Sequence, residues 1–413
     1  MKPIVVALLL MAAAQALGAE NDGTLERVVL LQRHGVRSPT KPASAYAPFS
    51  VQTWPEWPVA PGELTRHGAK DAALMALSLR QSYADEELLP AKGCPPADRI
   101  AVWADGHDSR TRDSGRAFLD GAFPACGLAA SHGPEGQVDP LFQAAESGRC
   151  PTDPVRAQRA LEEAFAGLPS HRAELDAAKS ALYEILTPPA QRGDCPGAGG
   201  PACFLFGQDG VQLGKSGAKL NGALSEAASL AESLMLEYAE DMPASEVGWG
   251  RADAAAIARI MPLHNISAAL SRRTPYLAAH NGALLARAIA HALNGRPAFP
   301  GLAPAVLTVV IGHDTNLSNL AGILGVAWSL PDQPDDTPPG GTLAFELWRD
   351  GQGQSSVRVK MIYQPLDDLR SAEAGRPLRT VDLALPGCPP RGCSLGDFTA
   401  RIDQALPPDC PDR

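Results

Sequence analysis

Two short apolar runs, far apart in the chain, end in the same way. Val28-Val29-Leu30-Leu31 leads into Gln32-Arg33-His34-Gly35-Val36-Arg37-Ser38-Pro39-Thr40, and Val306-Leu307-Thr308-Val309-Val310-Ile311 leads into Gly312-His313-Asp314-Thr315-Asn316-Leu317. Continuous aliphatic runs without polar alternation read as strands buried on both faces, as in parallel sheets covered by helices. In such sheets ligands bind outside the carboxyl ends of the strands. Each run delivers a histidine at that position, although the two histidines, 34 and 313, stand almost 280 residues apart. An α/β fold whose strand ends converge on one site accommodates both.

The residues around His34 point to phosphoryl chemistry. Arginine presents a planar fork of donors that matches phosphate oxygens, and Arg33 and Arg37 flank the histidine. Gly35 gives the backbone room to turn. Hydrolysis of a phosphate monoester needs a nucleophile, neutralised phosphoryl oxygens and a proton for the leaving alkoxide. A neutral His34 can attack phosphorus and form a phosphohistidine. Arg33, Arg37 and Arg110 would hold the oxygens, His313 would add a donor, and Asp314 would protonate the leaving group and then activate water. This chemistry asks for no metal or cofactor, and no Asp/His set with two-metal spacing stands in the sequence.

A bare Arg-His-Gly is weak as a signal. Arg66-His67-Gly68 repeats it at the start of a helix expected from about Thr65, a fitting N-cap, to Tyr83. No strand precedes it and no Arg-x-Pro follows, so it reads as a helix start. Before it, residues 41–63 form a proline-stiffened loop with Trp54 and Trp57 beside the motif. Ile100–Ala104 reads as a strand, and Ser109-Arg110-Thr111-Arg112 opens a helix to Ala122 whose N-terminus could face an anion. On composition alone these arginines suit solvated surface as well as a site, and His107-Asp108 before them is a tempting pair weighed against a chemical role. Val155–Ala166, Arg172–Leu186, Ala218–Tyr238, Ala254–Leu270 and Tyr276–Leu293 have helical spacing, and His264-Asn265 among them reads as a packing pair. Leu343–Trp348 and Val357–Tyr363 alternate as antiparallel edge strands, with Gly340-Gly341 turning close to the site.

The chain of 413 residues carries a formal charge of -10, which excludes a general nucleic-acid binder. Residues 1–19 combine one positive charge, an apolar run and small residues, the pattern of a secretory signal peptide. The run is short of the ~20 residues that a membrane span needs. A periplasmic or secreted protein without a membrane anchor is therefore expected. Eight cysteines in an oxidising compartment imply disulfides, with about 105 connectivities open. Short loops favour Cys195–Cys203 and Cys388–Cys393; Cys94–Cys126 follows, which leaves Cys150–Cys410.

Arg33-His34-Gly35-x-Arg37-x-Pro39 together with His313-Asp314 resembles the histidine acid phosphatase family. Ser109-Arg110-Thr111-Arg112 looks like its third phosphate arginine. Trp54-Pro55-Glu56-Trp57-Pro58, Gly248-Trp249-Gly250 and Thr337-Pro338-Pro339-Gly340-Gly341 look like stretches of its periplasmic bacterial members, phytases and glucose-1-phosphatases. The resemblance implies a phosphoglycerate-mutase-like α/β/α sandwich, with a mainly parallel sheet and a helical cap domain. Residues 20–135 and 260–413 would form the catalytic domain and 136–259 the cap. It implies the same four disulfides, phosphate contacts from Arg33, Arg37, Arg110 and His313, and substrate contacts from Thr40, Lys41 and Glu232. The expected activity is acid hydrolysis of phytate (myo-inositol hexakisphosphate) by a monomer without a cofactor. The alternatives are a sugar phosphatase of the same fold, acting on glucose 1-phosphate, and a non-catalytic phosphate-binding protein.

Overall fold

The structure is a computed structural model that describes residues 23–192, 201–214, 217–408 and 410–411. The proposed leader, residues 1–19, lies outside these. Among the described residues no helix is long and apolar enough to cross a membrane.

The first apolar run forms β1 (Thr24–Arg33), which lies inside an eight-stranded mixed sheet. On one side lie β6 (Leu307–Gly312), β2 (Ile100–Ala104) and β3 (Ser131–His132), all parallel. On the other lie β7 (Thr342–Arg349), β8 (Ser355–Tyr363) and β10 (Cys393–Ser394), antiparallel in turn, with β9 (Arg379–Leu383) also on β8. The parallel half needs helical crossovers, whereas β7 and β8 follow one another through a short turn. Register matters for function. Leu30 faces Val309 and Arg33 faces Gly312, so the residues after both strands emerge side by side.

Alternate residues of β1 face opposite layers. Val29 and Leu31 pack with α9 (Pro275–Leu293), α10 (Asp314–Leu324) and α12 (Leu395–Ala405). Val28 and Leu30 pack with α2 (Arg66–Asp85) and α3 (Ser109–Ala122). This two-faced burial explains the lack of polar alternation. A separate apolar cluster joins α5 (Arg172–Leu186), α6 (Ala223–Ala239), α7 (Ala254–Ile260) and α8 (Pro262–Ala268). It reaches Val36 of the motif loop, Tyr46 of the short α1 (Ala43–Tyr46) and Leu366 of α11 (Leu366–Ser371). The helix α4 (Pro154–Phe165) packs on a hairpin of β4 (Asp209–Gly214) and β5 (Gly217–Gly222).

Two helical expectations change. The run from Ala218 begins as strand β5, because Gly222 at φ 87° cannot continue a helix backwards and residues 217–222 pair with β4. The run Ala254–Leu270 is split at Pro262, which opens α8, and ends in a π-turn over Ala269–Arg273. Cys94–Cys126, Cys388–Cys393 and Cys150–Cys410 are bonded, the last across 260 positions. Cys195, and with it the Cys195–Cys203 pairing, lies outside the described residues.

Two core acids make stability depend on pH. Burial raises the Asp71 carboxyl to about 7, against a hydrogen bond from Gln364, and the Glu237 carboxyl to about 8, against the Gly248 N–H. Both groups hold a proton more tightly folded than unfolded. Stability is therefore full below about pH 4 and falls as pH rises through about 7 and about 8. Each shift is worth up to about 4 kcal/mol at the alkaline end. Thermal midpoints should drop between about pH 4 and 8. Asp71→Asn, which keeps an acceptor for the Gln364 amide, and Glu237→Gln should flatten the drop. An unchanged slope in the double variant would contradict this.

Candidate active site

The motif loop is pinned on both sides as it leaves β1. His34 N–H donates to Gly312 O (2.9 Å), Arg33 N–H to Gly341 O (2.9 Å), and Gly340 N–H to His34 O (3.1 Å). Gly340, at φ 73°, makes that last turn possible. The second Arg-His-Gly serves the first. A Cβ on Gly35 would meet Gly68 O at 2.6 Å, so the motif loop and the start of α2 touch backbone to backbone. Thr65 caps α2 by accepting from Gly68 N–H (2.9 Å) and donates its own N–H to Val36 O (3.1 Å). His67 turns away to Leu369 O.

His34 is 2% exposed, and its Nδ1 lies 2.8 Å from Gly35 O. A carbonyl only accepts, so this bond assigns the proton to Nδ1 and leaves the Nε2 lone pair free. Burial lowers the imidazole pKa well below its ordinary value, and Arg110, Arg33, Arg37 and His313 add to the effect. Both the burial and the neighbouring cations favour the uncharged form of the His34 ring.

Three guanidinium groups crowd this ring. Arg33 is fully buried and binds Asp335 (3.0 Å), Thr337 O (2.5 Å) and Glu232 (2.6 Å). Arg37 meets the same Glu232 oxygen at 3.1 Å. Arg110, in the first turn of α3, binds Asp108 (2.7 Å) and lies 3.4 Å from His313 Nδ1. Each of the three keeps a buried Nε–H without a partner. Burial works to raise the Glu232 carboxyl, but Arg37 and Arg33 outweigh it and hold it at about 2. A carboxylate thus sits on the arginine clamp where an anionic oxygen is favoured.

The second strand end closes the site. Asn316 accepts from His313 N–H (2.9 Å) and fixes the opening of α10. His313 Nε2 meets the fully buried Asp105 (2.8 Å), so its Nδ1 faces the clamp, and its ring stands edge-on to His34 at 5.5 Å. Asp314 binds Arg272 (2.5 Å) and accepts from Thr315 N–H (2.9 Å). Burial alone would raise its pKa, but Arg272, Arg33 and His264 outweigh it and hold it well below the usual carboxylate range.

His34, Arg37, Thr40, Arg110, His313 and Asp314 line one cleft of about 620 Å³. Arg33 and Glu232 of α6 are not among its lining residues, and Glu232 meets the site through Arg33 and Arg37. Lys41 is half exposed and pairs with Glu226 at 3.8 Å, away from the cleft lining. His107 and Asp108, weighed against a chemical role, line the cleft, and Asp108 holds Arg110. Asp105, Asp335 and Arg272 were missed. Only Asp105 left a trace, as the residue after a strand. His264, read as a packing pair, instead brings a ligand-type atom within 4.8 Å of Glu232 and Asp314, and its Nε2 has no partner. Those carboxylates already face Arg33, Arg37 and Arg272, so the surroundings suit an anion rather than a metal ion.

Known proteins share this arrangement of chain. The family model described as histidine phosphatase superfamily (branch 2) matches residues 24–181 and 224–363. Phytase AppA of Escherichia coli (strain K12) is 34% identical over 95% of this chain and 94% of its own length. A glucose-1-phosphatase of Salmonella typhimurium is 29% identical over 93% of this chain and 92% of its own. The solved structure of Hafnia alvei phytase in complex with myo-inositol hexakis sulphate superposes with TM-score 0.86 at 36% identity, over 95% of this chain and 99% of that one.

Proposed function

The chain belongs to the histidine phosphatase superfamily (branch 2) and is a phosphoric monoester hydrolase, and we propose that it attacks phytate through His34. One observation carries the reading. A buried imidazole, kept neutral and with Nε2 free, lies among three guanidiniums that retain unpartnered N–H groups. An in-line phosphoryl group would take these donors, displace Glu232 from Arg33 and Arg37, and meet His34 Nε2. Asp314 would donate a proton to the leaving oxygen and recover one from the attacking water. Arg33, Arg37, Arg110 and His313 would hold the phosphoryl oxygens, with Thr40, Lys41 and Glu232 toward the rest of the substrate.

Thr40 on the cleft wall and the half-exposed Lys41 beyond it suit an ester with further anionic groups. Glu232 comes from within residues 136–259, the proposed cap, to a clamp built by residues 20–135 and 260–413. We also propose export, from the leader-like residues 1–19 and the disulfides, and action as a monomer.

The likeness to a glucose-1-phosphatase keeps a sugar phosphate as second reading. Phosphate release at about pH 5 from hexakisphosphate and from glucose 1-phosphate separates the two. A higher kcat/KM on hexakisphosphate is expected, with activity undiminished by EDTA. A preference for glucose 1-phosphate overturns the phytate reading. Phosphate binding without turnover on any ester would leave a binding protein.

A further inference from the structure

We propose that Arg272 is a specificity-determining residue: it occupies Asp314 until a substrate's second anionic group, beside the scissile ester, draws it off. This rests on the phosphatase reading and adds a condition to it.

The geometry sets a problem for the proton donor. One Asp314 oxygen takes Arg272 Nη1 at 2.5 Å and the other takes the Thr315 N–H at 2.9 Å. A carboxylate with both oxygens receiving donors has no proton to give. Its charged surroundings favour the ionised form. Arg33 at the end of β1, Arg110 from α3 and His264 from α8 face it, against Glu232 from α6, and Arg272 from the π-turn is in contact. Of these, Arg272 is the cation best able to leave. Arg33 is locked by three partners, and Arg110 is held by Asp108.

Arg272 differs from its neighbour in the same turn. Arg273 binds Asp336 at 3.1 Å and lies over the Trp328 ring at 4.8 Å. The Arg272 side chain is 28% exposed on the cleft wall, and the carboxylate of Asp314 is its ion-pair partner. Its backbone is fixed by Asn319, which donates to Arg272 O (2.9 Å), so the side chain can swing from a rigid base. π-Turns concentrate at such functional positions.

A simple monoester gives its one phosphoryl group to the His34 clamp and offers Arg272 nothing in exchange for Asp314. A second phosphate offers a dianion. Once Arg272 moves to it, Asp314 faces Glu232 and an anionic substrate, and it takes a proton from solvent. The ester P–O bond then breaks as the His34 Nε2–P bond forms, and the leaving oxygen receives the Asp314 proton.

The test is kcat against pH, which reports ionisations in the substrate complex, with kcat/KM read beside it, for hexakisphosphate and glucose 1-phosphate in wild type, Arg272→Gln and Arg272→Lys. In wild type the alkaline limb should extend about one pH unit higher on hexakisphosphate. Arg272→Gln should move the glucose 1-phosphate limb upward and raise kcat/KM on its alkaline side about 10-fold. On hexakisphosphate the same variant should lose about 10-fold, mostly in KM. Arg272→Lys should fall between. Coincident wild-type limbs overturn the proposal, and need no variant to fold. Equal losses on both substrates with unmoved limbs also overturn it. No phosphate release from either ester by wild type refutes the phosphatase reading instead.

Discussion

His34→Ala should reduce phosphate release from every monoester by about 10⁵-fold or more. The size follows from what is lost. In the proposed reaction the arginines and His313 would stabilise charge on a phosphoryl group, but only a nucleophile lets them act on two easier displacements. The environment of His34 suits that role. Its Nδ1 is tied to Gly35 O, its other nitrogen is free, and burial among Arg110, Arg33 and Arg37 keeps the ring uncharged. A depressed imidazole pKa means that the nucleophile stays competent below the pH at which an ordinary histidine protonates. Wild-type activity should therefore persist below about pH 6. The variant should keep its fold and bind inorganic phosphate, because the arginines remain. Phosphate release within about 10-fold of wild type would remove His34 from the chemistry.

Asp314→Asn should divide substrates by their leaving groups. Loss on alkyl phosphates should reach about 10²–10⁴-fold, the usual worth of a positioned acid. Aryl phosphates leave as stabilised anions and should lose much less on the first step. Asparagine retains an acceptor for the Thr315 N–H and nearly the same volume, so the comparison isolates the proton. The substitution also removes the anion that faces Arg272 at 2.5 Å, which frees that cation toward the cleft. Tighter phosphate binding should accompany the slower turnover. Equal losses on alkyl and aryl esters would take the proton-donor role from Asp314.

What the sequence made legible was local or periodic. The two-faced burial of β1 and β6 showed as unbroken apolar runs, and their shared ends brought His34, Arg37, His313 and Asp314 to one cleft. Thr65 was readable as a cap because its oxygen answers an N–H three residues on. Arg110 was readable as a charge at a helix N-terminus. Ala218–Asn221 misled because alanine-rich composition favours helix, whereas pairing with β4 and Gly222 decide the strand. Arg272 was hidden for another reason. Its meaning depends on a π-turn that sets one arginine on Asp314 and the next on Asp336. Asp335 and Glu232 both meet Arg33, yet Asp335 left no pattern in the sequence and Glu232 was named only through the family resemblance.

The central claim is that the phosphoryl group passes through His34. Rapid mixing with ³²P-labelled substrate, a quench in alkaline denaturant and peptide mapping test it directly. Phosphoramidates survive alkali, so the label should appear on the peptide that contains His34, form no later than free phosphate, and vanish in His34→Ala. Burst-free turnover of wild type, with no label on the protein and inversion of configuration at phosphorus, would contradict the account.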